Sequence, residues 1–246
     1  MHATSPRLPL AEPEARLASA EDHAAGVREM FGRIAPTYDT LNRVLSAGVD
    51  VRWRKRAIES LSGRPAGSIL DSCAGTMDLT AMLVARWPGD RVVAADFAAE
   101  MLEAGKHKAP GAERVVADAM ALPFEAASFA AVICGFGMRN LSDTRRGIAE
   151  AKRVLVPGGI FATLEFFRPT RTTTRLFHGV YGNLVLPTVG GLVSGDRSAY
   201  AYLTKSMQAF ATLEQYVALC EAEGLRVTRT EDLTFGIASL VVAEAP

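Results

Sequence analysis

From residue 66 onward, short apolar runs alternate with stretches whose apolar residues recur at helical spacing, and no other feature constrains the fold of this chain as tightly. The runs at 68–71, 91–96, 114–117, 129–134 and 160–166 are separated by segments that include LTAMLVARW, AAEMLEAGKHK and TRRGIAEAKRVL. A strand that is apolar along its whole length needs cover on both faces. A helix between successive strands supplies that cover and returns the chain to begin the next strand in the same direction. The alternation therefore predicts βαβ units and a largely parallel sheet. Two further runs, 225–230 and 236–243, are joined by the short connection Thr234-Phe235-Gly236 and are expected to pair antiparallel.

The flanking segments are helical. Val27, Met30, Phe31 and Ile34 fall at i, i+3, i+4 and i+7 of a helix that Pro36 brings to an end. A second helix is expected over 51–61, where WRKR gives it a basic face that the plainest reading leaves solvated. Residues 170–210 break the rhythm with a mostly helical, apolar insertion rich in glycine and aromatics, and a last helix, TLEQYVALCEAEG, stops at Gly224.

A chain of 246 residues, 49% hydrophobic, suits one α/β domain with additions better than two domains. Residues 1–22 lack an apolar segment and read as a disordered tail, which leaves 23–246 as the single domain. The balance of 27 basic against 27 acidic residues removes the electrostatic case for a dedicated nucleic-acid binder. Cys73, Cys134 and Cys220 lie far apart, and His2, His23, His107 and His178 show no ligand spacing, so neither a disulfide framework nor a metal site is expected. No apolar run approaches the roughly 20 residues that span a bilayer.

In an open parallel sheet, ligands bind beyond the carboxyl ends of the strands. There the chain places Asp71-Ser72-Cys73-Ala74-Gly75-Thr76-Met77-Asp78 after the first run, Asp96 at the end of the second, Asp118-Ala119 after the third, and Gly135-Phe136-Gly137-Met138-Arg139-Asn140 after the fourth. An acid at the end of the second strand can accept hydrogen bonds from both ribose hydroxyls, and Asp96, about 25 residues beyond Asp71, suits a nucleoside lying across the sheet edge. The plainer reading makes Asp71 and Asp96 caps of the following helices; Asp118 beside them favours a ligand. A dinucleotide requires the GxGxxG pattern that lets a pyrophosphate approach a helix N-terminus, and only Gly75 remains of it. S-Adenosylmethionine carries no phosphate. It needs only close backbone approach and a carboxylate for its ribose.

Three segments outside the generic cofactor loop then agree in order and spacing: MFGRIAPTYDTLNRVLSAGVDVRWRKR, GFGMRNLSDTRRGIAEAKRVLVPGGIFATLEF and YGNLVLPTVGGLVSGDRSAYAYLTKSM. With the closing LTFGIASLVV, they resemble the class I S-adenosylmethionine-dependent methyltransferases, and within them the C-methyltransferases of ubiquinone and menaquinone biosynthesis, from about residue 27 to 244. The resemblance implies a Rossmann-like α/β fold with a seven-stranded, mostly parallel sheet, an antiparallel last strand, N-terminal helices and a helical lid insertion. It implies S-adenosylmethionine as cofactor and a polyprenyl quinol, methylated at a ring carbon, as substrate. By matching positions, Thr76, Asp96, Asp118, Ala119 and Gly135 would contact the cofactor, and Asp71 and Gly75 of the first loop are expected to join them. Tyr38, Arg139 and Asn140 would sit at the quinol head group, and residues 181–203 would wall the isoprenoid tail.

Such a transfer requires alignment of a carbon nucleophile with an already activated methyl and removal of a proton from the neighbouring ring hydroxyl. A guanidinium has no lone pair to offer as a base. Arg139 is therefore expected to stabilise the developing quinolate, Asn140 to orient the hydroxyl, and a water or Tyr38 to relay the proton. The plainer reading pairs Arg139 with an acid such as Asp143.

The chain also departs from the family. Cys73, Ala74 and Met77 replace small residues and glycines of the first loop, and FATLEQ lacks a proline and an acid. A methionine in left-handed geometry costs about 1 kcal/mol and would project towards the site, narrowing it unless the backbone is compatible. These departures leave two other readings open: a non-catalytic quinone-binding or scaffolding relative, and a methyltransferase of a small soluble aromatic. Arg52, Arg54, Lys55 and Arg56 would suit peripheral contact with an anionic bilayer. A cytoplasmic setting, at the inner face of the membrane, is expected, and a homodimer is compatible with the resemblance.

Overall fold

The computed structural model describes residues 20–170 and 197–246. Seven strands form its centre: β1 (Ile69–Ser72), β2 (Val92–Asp96), β3 (Glu113–Val116), β4 (Phe129–Gly135), β5 (Leu155–Glu165), β6 (Arg226–Leu233) and β7 (Ala238–Glu244). They lie in the order β3-β2-β1-β4-β5-β7-β6. Strands β1 to β5 are mutually parallel, and β7 runs antiparallel to both β5 and β6. Strand order reverses between β1 and β4, which opens a crevice beyond their carboxyl ends. β5 starts earlier than the apolar run indicated, because Leu155 already pairs with Phe129 and the ladder resumes at Ile160 after an irregularity at the glycine turn.

Eight α-helices are described: α1 (Ala20–Ile34), α2 (Tyr38–Leu45), α3 (Asp50–Glu59), α4 (Asp78–Arg86), α5 (Ala99–Gly105), α6 (Thr144–Val154), α7 (Arg197–Ala209) and α8 (Leu213–Ala222). α1 reaches into the last residues of the segment read as a disordered tail; residues 1–19 of that segment lie outside the described residues. So do residues 171–196, and with them most of the expected tail wall. Among the described residues no helix is long and apolar enough to cross a membrane.

The period of two along each strand sorts side chains between two layers. Ile69, Ile133 and Leu164 pack against Trp53, Ile58, Leu79 and Leu83 of α3 and α4. Leu70, Val132 and Phe161 face Ile148, Val154 and Tyr216 of α6 and α8. Helix ends follow the sequence. Asp143 caps α6 by accepting from the Arg146 amide at 3.1 Å, Thr212 and Gln215 form a capping box on α8, and Gly224 takes φ 81° just beyond that helix.

The basic face expected on α3 is partly used within the fold. Arg54 is buried against Asp50 with Asp78 at 3.8 Å, and Arg56 grips Glu231 of β6 at 2.9 and 3.0 Å. Arg52 and Lys55 are exposed.

Candidate active site

The loop after β1 folds back over the ends of β1 and β2 by placing alternate residues in the left-handed region: Cys73 (φ 61°), Gly75 (φ 53°) and Met77 (φ 64°). The Ala74 amide donates to the Ala95 carbonyl at 2.9 Å, the Gly75 amide to Asp96 Oδ2 at 2.8 Å, and the Met77 amide to the Ala74 carbonyl at 2.9 Å. The expected strain at Met77 is present, but the expected intrusion is not. Its side chain is fully buried among Ala94, Leu102, Ala109 and Ala112, in the gap between α4, α5 and the sheet. Three alanines there supply the room a long, flexible side chain fills. Met77 does not line the cleft, so the loop does not narrow the site.

That cleft opens at the carboxyl ends of β1 to β4. Gly75, Asp96, Asp118, Ala119, Gly135, Tyr38 and Asn140 all line it. Asp96 is nearly buried and shapes the floor: Oδ1 accepts from the Ala98 amide at 2.9 Å while Oδ2 holds Gly75. Burial lifts its carboxyl to about 6, against the pull of those backbone N–H groups. Asp118 Oδ1 accepts from the Met120 amide at 2.8 Å and so sets the turn that presents Ala119. Gly135 and Gly137 permit close packing at this edge. A Cβ on the first would lie 2.5 Å from Leu79 Cδ1, and one on the second 2.4 Å from Cys73 Cβ.

Three of the expected site residues do not reach the cleft. Asp71 points to the α4 side of the sheet, fully buried, with Thr80 Oγ1 donating to it at 2.6 Å; burial raises its carboxyl to about 7. The hydroxyl of Thr76 turns away to donate to Asp39. Asp39 also pairs with Lys108, which reaches Asp78 at 2.7 Å, so these groups fasten α2 to the loop after β1 and hold Tyr38 over the cleft. Arg139 is the third. Its guanidinium is buried against Glu165 at 2.8 Å and donates to the Phe136 carbonyl. The pairing with Asp143 is thereby excluded, since Asp143 is engaged as the α6 cap. Burial raises the Glu165 carboxyl, opposed by Arg139 and by the Phe166 and Arg139 amides.

Asn140, beside this pair, is held at both ends of its amide. Nδ2 donates to the Phe136 carbonyl at 3.3 Å, and Oδ1 accepts from the Tyr202 hydroxyl at 3.2 Å. Burial raises the Tyr202 phenol above its ordinary value, so it remains a donor. Arg28 and Phe31 of α1, and Phe97, also line the cleft, and sequence reasoning passed over them. Glu165 is the last residue of β5, just as Asp96 is the last of β2, and it is the one acid within the fifth apolar run.

The lining fits S-adenosylmethionine: Asp96 and Asp118 face the cleft as negatively charged acceptors, beside which ribose hydroxyls, an adenine amine and a sulfonium are all favoured.

Comparison with known proteins agrees. A demethylmenaquinone methyltransferase of Thermus thermophilus is 45% identical over 221 residues, covering 88% of this chain and 100% of the relative. A ubiquinone/menaquinone biosynthesis C-methyltransferase of Syntrophotalea carbinolica is 40% identical over 217 residues, covering 87% and 91%. A solved SAM-dependent methyltransferase from Aquifex aeolicus shares the fold, with a TM-score of 0.58 at 15% identity over 78% of this chain and 89% of that one. The profile of the ubiE/COQ5 methyltransferase family matches residues 17–244. Seven strands with an antiparallel last member, a strand-end cleft lined by Asp96 and Asp118, and a match along nearly the whole length lead to one conclusion: the chain belongs to the ubiE/COQ5 methyltransferase family, with S-adenosylmethionine as its cofactor.

Proposed function

We propose that this enzyme methylates a ring carbon of a polyprenylated quinol, a demethylmenaquinol or the benzoquinol precursor of ubiquinone, while in peripheral contact with a membrane. The observation that carries this reading is that one cleft is lined by Asp96 and Asp118 together with Tyr38 and Asn140. S-Adenosylmethionine, when bound, supplies an activated methyl group.

The residues of the chain then have separable roles. Asp96 accepts the ribose hydroxyls, Asp118 and the Ala119 backbone bind the adenine edge, and Gly75 and Gly135 allow close backbone approach. Asn140, with its amide fixed by Tyr202 and the Phe136 carbonyl, orients the ring hydroxyl. Tyr38 lies within the same cleft and passes the hydroxyl proton towards water. Phe31, Phe136 and Leu141 give the head group an apolar surround. Arg139 acts from behind Asn140 as a positioning residue: the Arg139–Glu165 pair fixes the short turn 138–140 and supplies a net-neutral, hydrogen-bonded support where the quinolate forms. Burial of Met77 removes the feature that had favoured a scaffold without catalysis.

The test is direct. The purified protein is incubated with S-adenosylmethionine and chemically reduced short-tailed demethylated quinols in detergent, and the products are weighed by mass spectrometry. Addition of one methyl is expected, and Asn140→Ala should lower turnover roughly 100-fold or more with cofactor affinity within about twofold of wild type, since Asn140 is placed at the substrate alone. Cofactor binding without transfer to either quinol would refute the substrate assignment.

A further inference from the structure

Among the described residues, Arg28 of α1 is the one cationic side chain on the lining of the cleft, and it shares that lining with two acids, Asp96 and Asp118. Its guanidinium carbon stands 5.6 Å from the centre of the Phe97 ring, another lining residue and the next in the chain after Asp96. Arg28 makes no ion pair with any described residue. Contact with a ring face leaves the planar N–H fork of a guanidinium available to an anion.

Packing fixes where Arg28 sits. α1 buries Val27, Met30 and Ile34, and its last turns set Phe31 and Ala35 against Ala98 and Met101 at the start of α5. Met101 Cε is in turn 3.4 Å from where a Cβ on Gly75 would stand. α1 thus meets the loop after β1 through Met101, and Arg28, next after Val27, reaches the cleft from that side.

S-Adenosylmethionine carries one anionic group, the α-carboxylate of its methionine end. Its ribose, adenine, sulfonium and ammonium are all served by acceptors, which Asp96 and Asp118 supply. Those acids repel the carboxylate, and burying it without a partner is costly. Backbone N–H groups of a turning loop can hold such an anion, but here they are largely committed. The Ala74 amide donates to the Ala95 carbonyl, the Gly75 amide to Asp96 and the Met77 amide to the Ala74 carbonyl. The Thr76 hydroxyl donates to Asp39.

From this placement we infer that Arg28 binds the α-carboxylate of S-adenosylmethionine, with the Phe97 ring as the platform that holds the guanidinium over the cleft. A fork of donors matches a carboxylate with two parallel hydrogen bonds and selects a cofactor with its amino-acid end intact. The assignment concerns the cofactor alone and holds whichever acceptor is methylated.

The test is therefore a binding measurement that needs no quinol. Full-length wild type, Arg28→Gln and Arg28→Lys are titrated calorimetrically with S-adenosylmethionine and with its decarboxylated form, which keeps the nucleoside, sulfonium and amine. Arg28 is exposed on α1, so neither substitution removes packing from the core. Arg28→Gln should bind S-adenosylmethionine roughly 10–100-fold more weakly. It should bind the decarboxylated form as tightly as wild type or more tightly, since a cation has been removed from beside a more positive ligand. Arg28→Lys keeps the charge but loses the fork, and should fall between wild type and Arg28→Gln on S-adenosylmethionine. Undiminished binding of S-adenosylmethionine by Arg28→Gln would overturn the proposal. So would equal weakening towards both ligands, which would place Arg28 at the adenosine instead.

Discussion

Replacement of Met77 by glycine sets two opposing magnitudes against each other. The residue sits at φ 64°, ψ 25°, where a side chain costs roughly 1–2 kcal/mol that glycine would recover, less the extra freedom glycine gains in the unfolded chain. Against this, the side chain is fully buried among Ala94, Leu102, Ala109 and Ala112. Removal of a buried methionine side chain costs about 2–5 kcal/mol, towards the upper end where neighbours cannot collapse into the space. The alanines around Met77 are short and sit on the sheet and on the segments flanking α5, so little collapse is available. The variant should therefore be less stable by roughly 1–3 kcal/mol, which for a chain of this size lowers the melting temperature by several degrees. Cofactor affinity should stay within about twofold, because the side chain faces away from the cleft. Urea unfolding and calorimetric titration with S-adenosylmethionine read the two quantities separately. A variant as stable as wild type would refute the packing argument, and one that binds the cofactor tenfold more tightly would show that Met77 obstructs the site after all.

Other outcomes follow from the buried charges. Arg139→Ala strands Glu165 and should destabilise the fold by about 3–5 kcal/mol, with Glu165→Gln in the same chain restoring part of the loss; urea unfolding of the single and double variants checks this, and no rescue would contradict the pairing. Asp71 has its folded value raised from 3.8 to about 7 by burial, so the folded state holds its proton more tightly than the unfolded one. Its contribution is therefore most favourable below pH 4 and is lost as pH rises towards 7, by about 4 kcal/mol at most; Asp71→Asn should flatten that part of a stability-against-pH curve measured by urea unfolding. Asp96 must be ionised to accept two ribose hydroxyls. With its carboxyl at about 6, cofactor affinity measured by calorimetry should fall about tenfold per pH unit below that point, and an affinity flat to pH 4 would remove Asp96 from the ribose.

The strand-end rule located the cleft from sequence because it depends only on where apolar runs stop. Asp96, Asp118, Ala119 and Gly135 were found that way, and each lines the cleft. The rule does not say which way a side chain turns. Asp71 lies one position from Leu70, and the period of two sends it to the α4 layer, where Thr80 meets it. Thr76 and Arg139 were misplaced for a related reason: Asp39 and Glu165, the acids that capture them, are distant in the chain, and only the tertiary fold brings them near. Met77 was legible as a left-handed residue, but the alanines that receive it come from β2 and from the segment between α5 and β3, which no local pattern joins to the loop. Arg28 and Phe31 belong to a helix whose apolar stripe was recognised, though not the cleft it covers.

The central claim is transfer of a methyl to carbon in the cleft lined by Asp96, Asp118, Tyr38 and Asn140. The measurement that tests it most directly is carbon-13 NMR of the product formed from methyl-labelled S-adenosylmethionine and a reduced demethylnaphthoquinol. The account predicts a labelled methyl in the aryl-methyl region, bonded to the ring. A methoxy signal would place the transfer on oxygen and contradict the orientation assigned to Asn140.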